Sequence, residues 1–463
     1  MLKKLLLASV AAGSVIVATN AAQAGGFALR EQSAAGQGLS FAGAAAGGAG
    51  LGSMFWNPAT MTNYQGIQTS VGMTALIPYT SLSNVSGTGA GYAVFTGGKS
   101  TSNDMAFDAL VPNAYLSWQL NQNIWLGLSV NAPFGLGTKP DSSYVGRTYG
   151  STSAASSKEV TATVAYKINE SLSIAGGLRY LDMKARYTTG SAYNAAGVRW
   201  DTNPANWPVM GLMGDGAAFG YTMGITFKPL ETTEVGIGYR SEVKPTLKGD
   251  FFGAATALGA GYASLDTPVQ LSVPLPQMIT IGVKHKITQE LTLLAGYEWT
   301  NWSTLKSPAV TKINGGAVHS LFPTGLPFDY KDGWYASLGA EYQWDSKLTL
   351  RTGLGFESTP IKDSSRSTRL PDNDRIWTSI GAGYKFSERL SLDVGYTHIF
   401  PKSTKVTIDA ANPNYKSSPS YVTPDIDKLN VDVNAHVDIV SVNLTYRFDT
   451  PTSSNHLPGK VTK

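Results

Sequence analysis

Along most of the chain apolar residues alternate with polar or small ones. Val160-Thr161-Ala162-Thr163-Val164-Ala165-Tyr166 and Leu172-Ser173-Ile174-Ala175 set the rhythm. A period of two sends successive side chains to opposite faces of a strand, so these segments predict strands with one face in an apolar medium. Two kinds of connection join them. Six are short and alike, at residues 118–123, 166–171, 227–232, 285–290, 342–347 and 384–389, each with an aromatic or imidazole ring followed by polar turn residues. Seven are long and rich in Gly, Ser, Pro and Asn, roughly at 80–109, 138–156, 190–215, 251–268, 307–332, 359–374 and 401–434. Short turns on one side and long loops on the other are the asymmetry of an outer-membrane barrel. Thirteen connections join fourteen strands, and the even number returns both ends to the periplasmic side. The expected fold is all-β, a 14-stranded antiparallel transmembrane β-barrel, rather than a soluble sandwich, which rarely has loops so one-sided.

Composition sharpens this picture. Charged residues make up 15% of the 463, against roughly 25% in soluble domains. No apolar run of about twenty residues follows the first twenty, which excludes a bundle of membrane helices. With no cysteine there is no disulfide framework, and a net charge of +4 is too slight for nucleic-acid binding. Met1-Leu2-Lys3-Lys4, an apolar stretch to about Ala18, and Ala22-Gln23-Ala24 read as a secretory signal over residues 1–24. Trp118, Trp125, Tyr166, Tyr342, Trp344 and Tyr384 fall at strand ends, where rings are expected at the lipid–water boundary.

Residues 25–64 precede the first expected strand and are too long to be one. The run Ala42-Gly43-Ala44-Ala45-Ala46-Gly47-Gly48-Ala49-Gly50 is small and uncharged, suited to close packing as a hatch inside the lumen. A barrel this wide leaks without a plug. Asn57-Pro58-Ala59 ends the segment in a rigid turn, a candidate gate. The third strand carries a second irregularity around Asn131, Pro133, Phe134 and Gly135: Pro133 removes a ladder donor, and Gly135 and Gly137 permit unusual dihedrals. Either the strand ends at Ala132 or the wall has a defect there.

Gly26-Phe27-Ala28-Leu29-Arg30-Glu31-Gln32-Ser33-Ala34-Ala35-Gly36, followed by Phe55-Trp56-Asn57-Pro58-Ala59, resembles the hatch of the outer-membrane long-chain fatty acid transporter family (FadL-like), which includes aromatic hydrocarbon channels. The resemblance continues through residues 239–244, 249–251, 330–334, 350–353, 370–377 and 393–396, almost the whole chain in order. It implies a fourteen-stranded barrel, a hatch in its lumen, and release of substrate beside a kinked third strand. One departure matters. The family's carboxylate-binding bases are matched here by the stretch Thr324-Gly325-Leu326-Pro327-Phe328-Asp329 and by Thr188 or Thr189, none of them basic. Carboxylate binding is therefore not carried over, and a neutral hydrocarbon competes with a fatty acid. Candidate substrate-binding residues are Lys184, Arg186, Trp200, Met210, Leu212, Phe251, Leu326 and Phe328. Apolar loop residues of this kind mark a binding groove or contact with lipopolysaccharide.

The five histidines are scattered, and neither a metal site nor a cofactor is expected. No nucleophile elbow or phosphate loop is present, so an enzyme is not expected, although His398 with a strand serine leaves a barrel hydrolase as an alternative. The expected function is passive outer-membrane passage of hydrophobic small molecules, in the first place long-chain fatty acids, through an opening in the wall. A hydrocarbon channel and a general diffusion porin are the other readings. Expected partners are the hydrophobic ligand, outer-membrane lipid and lipopolysaccharide, and the barrel assembly machinery, with the chain acting as a monomer. The barrel is expected over residues 65–448, with Phe448 closing it, and residues 449–463 as a disordered periplasmic tail.

Overall fold

A computed structural model describes residues 25–88, 98–190, 209–253, 267–315, 325–415 and 428–448. The signal, the tail and Trp200 lie outside the described residues. The wall opens with β1 (Ile67–Thr88), β2 (Ala109–Gln119), β3 (Ile124–Asn131), β4 (Gly135–Thr138), β5 (Thr152–Lys167), β6 (Leu172–Gly190) and β7 (Val209–Leu230). It continues with β8 (Thr233–Arg240), β9 (Thr246–Gly253), β10 (Thr267–Ser272), β11 (Met278–Lys286), β12 (Leu291–Thr300) and β13 (Val310–Lys312). The last part is β14 (Gly333–Gln343), β15 (Leu348–Ser358), β16 (Arg375–Lys385), β17 (Leu390–Pro401), β18 (Thr404–Asp409) and β19 (Lys428–Arg447). Four wall strands are interrupted, as β3/β4, β8/β9, β10/β11 and β17/β18, and β13 pairs with β10 in an outer loop. The nineteen segments thus form fourteen antiparallel wall strands, closed by β1 against β19 from Gln68–Arg447 to Thr88–Lys428.

All six short turns fall where the sequence put them. Several outer loops are shorter than expected, because the ladder continues beyond the apolar band: β6 and β7 stay paired up to Gly190–Val209, and β19 begins at Lys428. Out there the alternation is inverted, with apolar Leu429, Val431 and Val433 of β19 buried and polar Lys428 and Asn434 exposed, so the lipid-facing pattern is missing and strand reads as loop. Closing the sheet on itself removes the open edges that lipid forbids, save where β3 gives way to β4. The outer face is apolar: on β7, Phe219, Tyr221, Met223, Ile225 and Phe227 are exposed while Thr222 and Thr226 are buried. Tyr166, Tyr342, Trp344 and Tyr384 are exposed near the turns, as expected of rings at the lipid boundary. Trp125 is a correction. It is buried and donates its indole N–H to the Tyr64 carbonyl at 2.7 Å, so it faces inward against the N-terminal segment.

That segment is held by a short helix (Ala34–Gln37), capped by the Ser33 hydroxyl, and by three 3-10 turns. Its backbone reaches wall glycines almost in contact. A Cβ at Gly236 would stand 1.7 Å from the Ala45 carbonyl oxygen, and one at Gly238 1.8 Å from that of Trp56. Charges that would be costly against lipid are paired within the wall and the segment. Arg30 meets Glu298 at 2.8 Å and Glu357 at 3.4 Å, while Arg179 meets Glu159 at 2.7 Å. Arg351 lies 2.8 Å from Glu341 and 2.7 Å from Asp393, and Arg375 pairs with Asp372. Asp374 accepts from the Thr359 N–H at 3.0 Å.

Candidate functional site

Strand β3 stops at Asn131 and the chain resumes as β4 at Gly135. Across this gap the chain bonds to the N-terminal segment and to β5. Leu29 N–H donates to the Pro133 carbonyl at 2.8 Å, and Gly135 N–H donates to the Phe27 carbonyl at 2.8 Å. The Phe134 N–H is taken by the Ser157 hydroxyl at 2.9 Å, which in turn donates to the Phe134 carbonyl. On the other side, pairing of β2 with β3 ends at Ala114–Val130. Residues Ala109 to Asn113 of β2 pair with β1 but have no ladder partner across the gap among the described residues. Pro112 and Pro133 each lack the N–H that could restore one. The strand thus ends just before Pro133 and resumes at Gly135, with residues 133–135 bonded to the N-terminal segment and to Ser157. Gly135 contributes no unusual dihedral: the described glycines with left-handed backbone are Gly26, Gly43, Gly47, Gly50, Gly66 and Gly315. Gly135 sits in ordinary extended backbone opposite Ser156.

Asn131 marks the start of the break. Its side-chain amide donates to Gln32 Oε1 at 3.0 Å and to the Tyr115 hydroxyl at 2.7 Å. Asn57 anchors the far end of the segment, donating to the Ala45 carbonyl at 2.7 Å and to the Ile225 carbonyl at 2.9 Å, while its Oδ1 accepts from Ala59 N–H at 3.0 Å. Pro58 and Ala59 are buried in the 3-10 turn that follows.

Two cavities flank the break. The outer one is an apolar cleft enclosing about 870 Å³, partly open to solvent, walled by Phe27, Leu136, Met183, Leu247, Val273, Leu326, Phe328, Ile361 and Leu370. Its apolar lining suits a hydrophobic ligand. Arg369 is the buried cation in that lining, 7% exposed, and burial pushes its pKa below the usual arginine value. The inner chamber, about 690 Å³, lies between the N-terminal segment and the wall, with Leu29, Arg30, Pro133, Phe134 and Trp302 among its lining. The rings of Phe27, Phe134 and Trp302 stand between the two, with centroids 4.9 to 6.3 Å apart.

The residues picked from the sequence divide. Leu326 and Phe328 line the outer cleft, and Leu212 lines a smaller groove beside it. Met210 and Phe251 are buried in the packing of the outer hairpins, with Val269 and Val310. Lys184 is exposed on the opposite face of β6 from Met183. Arg186 is exposed at the cleft's edge, its guanidinium 5.1 Å from the Phe252 ring. Thr188 and Thr189 are buried, and Thr189 donates to the Thr148 carbonyl. Arg369 and Ile361 were missed because they lie in the outer loop between β15 and β16, which carries no period, and Tyr187 because it reads as an ordinary residue of β6. His398 pairs with Asp438 at 2.7 Å on the outer half of the wall, and that carboxylate also accepts from the Tyr396 hydroxyl at 2.7 Å. His285 bonds Thr233, and no three metal-ligating side chains gather among the described residues.

Known proteins share this architecture. The outer membrane protein P1 of Haemophilus influenzae is 26% identical, over 95% of this chain and 99% of its own length. A long-chain fatty acid transport protein of Escherichia coli is 27% identical, over 88% and 93%. Among solved structures, a Pseudomonas aeruginosa FadL homologue superposes with a TM-score of 0.79 at 20% identity, covering 92% of this chain and all of that one. The Ralstonia pickettii toluene transporter TbuX gives 0.62 at 16% identity, over 90% and 99%. The profile of the outer membrane protein transport protein family (OMPP1/FadL/TodX) matches residues 15–448, so this fourteen-stranded outer-membrane barrel belongs to that family of transport proteins.

Proposed function

We propose that the chain lets hydrophobic small molecules, in the first place long-chain fatty acids, pass the outer membrane down their gradient. The observation that carries this reading is the position of the outer cleft, separated from the break in the wall by a few rings. A ligand enters the cleft from the loop side, passes Phe27 and Phe134 into the inner chamber, and leaves sideways into the bilayer between β2 and the Pro133 kink. Residues 25–64 act as the hatch that blocks the axial route, and movement at Asn57-Pro58-Ala59 widens the chamber. Lateral exit from the chamber that Arg30, Glu298 and Glu357 line spares an apolar molecule the rest of the charged interior, where Arg351 pairs with Glu341 and Asp393. The protein works as a monomer, inserted by the barrel assembly machinery and in contact with lipopolysaccharide.

Aromatic or aliphatic hydrocarbons are the second reading, favoured by the mostly apolar lining of the cleft and by the fold shared with the toluene transporter. Native mass spectrometry of gently purified protein tests both. A bound fatty acid or hydrocarbon, with a barrel that is silent in planar bilayers, is the expected result. An empty protein with steady ion conductance would make it a general diffusion porin, and cleavage of lipid esters in detergent would make it a hydrolase.

A further inference from the structure

The cleft wall contains one feature that an apolar cargo does not need. Arg369 lies in the outer loop between β15 and β16, and its stem is fixed: the Thr138 hydroxyl donates to its carbonyl at 2.8 Å, and its Cγ packs against Gly150. The guanidinium carbon stands over the Tyr187 ring, 3.4 Å from the centroid. One Nη donates to the Thr152 carbonyl at 3.3 Å and to the Ser153 hydroxyl at 3.0 Å, both neutral acceptors, and the buried Nε has no hydrogen-bond partner. No carboxylate pairs with Arg369 among the described residues. Arg30, Arg179, Arg240 and Arg351 all have one. A full charge kept from water without a counter-charge is strongly unfavourable, and is retained where an anion completes the site. The planar fork of a guanidinium fits the two oxygens of a carboxylate.

We propose that Arg369 is the anion anchor of the outer cleft, so that the cleft selects long-chain amphiphiles bearing a carboxylate over neutral hydrocarbons. This rests on the reading that the outer cleft is the ligand site. The carboxylate meets the Nε side of Arg369, while the chain lies along Leu136, Met183, Leu247 and Phe328 toward Phe27. A neutral hydrocarbon fills the same apolar surface and leaves the cation bare. Selectivity therefore resides in one side chain, whereas affinity for the tail is spread over the lining.

The test compares oleate with oleyl alcohol, equal in tail and different in headgroup, for the full chain in amphipol, with Arg369→Met and Arg369→Lys beside the wild type. The wild type should bind oleate about tenfold to hundredfold more tightly than the alcohol, the range for a charge-assisted hydrogen-bonded pair. Arg369→Met should lose that preference and bind the alcohol as before, and Arg369→Lys should keep part of it. Unchanged oleate binding by Arg369→Met overturns the proposal and leaves the cleft as a ligand site. Equal loss of both ligands in Arg369→Met and Arg369→Lys also overturns it, showing that the residue holds the cleft together. A wild type that binds neither ligand overturns the cleft reading itself, and this proposal with it.

Discussion

The rings of Phe27 and Phe134 meet with centroids 6.0 Å apart and planes tilted by 58°, joining the N-terminal segment to the break in the barrel wall. The backbone repeats the link, since Ala28 and Phe134 form an antiparallel bridge. The strand that should have completed the ladder with β2 is turned to bind the segment instead. Movement of residues 27–29 should therefore be felt at residues 133–135.

Closing the break should slow exit without weakening capture. Pro133→Val restores one N–H to the ladder, worth about 1 kcal/mol for a paired group, or roughly a fivefold shift toward the closed wall. Gly135→Trp fills the same place with bulk. Both variants should bind a hydrophobic ligand at the cleft like the wild type and deliver it to vesicle lipid more slowly. Parallel loss of binding and delivery would argue against a lateral exit.

The barrel is legible in the sequence because lipid on one face and polar contacts on the other force a period of two, which survives without any alignment. Its outer extensions are not, since past the apolar band β19 turns polar outward and apolar inward, as Asn434 and Val433 show, and its outward face no longer looks like one in lipid. The small residues of the Ala42–Gly50 run indicate close packing, but its counterpart is spread over wall glycines such as Gly236 and Gly238, which look like ordinary strand glycines. Trp125 was misplaced for a related reason: a ring near a turn suits the lipid boundary, and only the Tyr64 carbonyl shows that it points inward. The cleft is least legible. Phe27, Leu136, Leu247, Leu326 and Arg369 converge from five separate regions of the chain, and no local spacing connects them.

The wall glycines give a way to displace the hatch without altering it. Gly236→Val or Gly238→Val puts a side chain where the Ala45 or Trp56 carbonyl now sits, too close for the segment to dock. The glycines lie in paired strands, so the barrel should still assemble and keep its heat-modifiable mobility on gels. Planar bilayers should then show steady conductance where the wild type is silent, and residues 25–64 should become sensitive to protease. Asn57→Ala acts from the other side by removing two donated bonds, at about 1–3 kcal/mol for each buried group left unpaired. A silent, protease-resistant Gly236→Val barrel would show that the segment does not plug the lumen.

Glu31 should make the stability of the protein depend on pH. It is fully buried beside Arg30, and neither carboxylate oxygen has a hydrogen-bond partner. Burial pushes its pKa up from 4.5 to about 7, with Glu357 adding to the rise and Arg30 and Arg375 opposing it. A carboxyl raised in this way holds its proton more tightly when folded than when unfolded. The folded state is therefore favoured at low pH and loses that advantage as pH climbs from 4.5 through about 7. Glu31→Gln cannot ionise. It should melt like the wild type near pH 4.5 and be more stable at pH 8, by up to about 3 kcal/mol for a shift of this size. Thermal unfolding in detergent at the two pH values decides it, and an equal difference at both would mean that Glu31 stays neutral or finds a partner.

Closure of the barrel should depend on Phe448 rather than on residues 449–463. Its N–H donates to the Ile67 carbonyl at 2.9 Å, extending the pairing of β19 with β1 by one bond. Its ring meets Tyr446 edge-on, with centroids 5.0 Å apart, beside the outward-facing Leu444. That places an aromatic residue at the turn end of the last strand, where the outer face passes from lipid to water. Truncation after Phe448 removes no residue of this contact, so assembly and transport should be unchanged. Phe448→Asp puts a charge into the interfacial girdle beside the closing seam, and should lower the yield of heat-modifiable barrel while leaving the other strand pairs intact. Failure of the truncated chain to assemble, together with normal assembly of Phe448→Asp, would mean that the seam is secured by residues beyond 448.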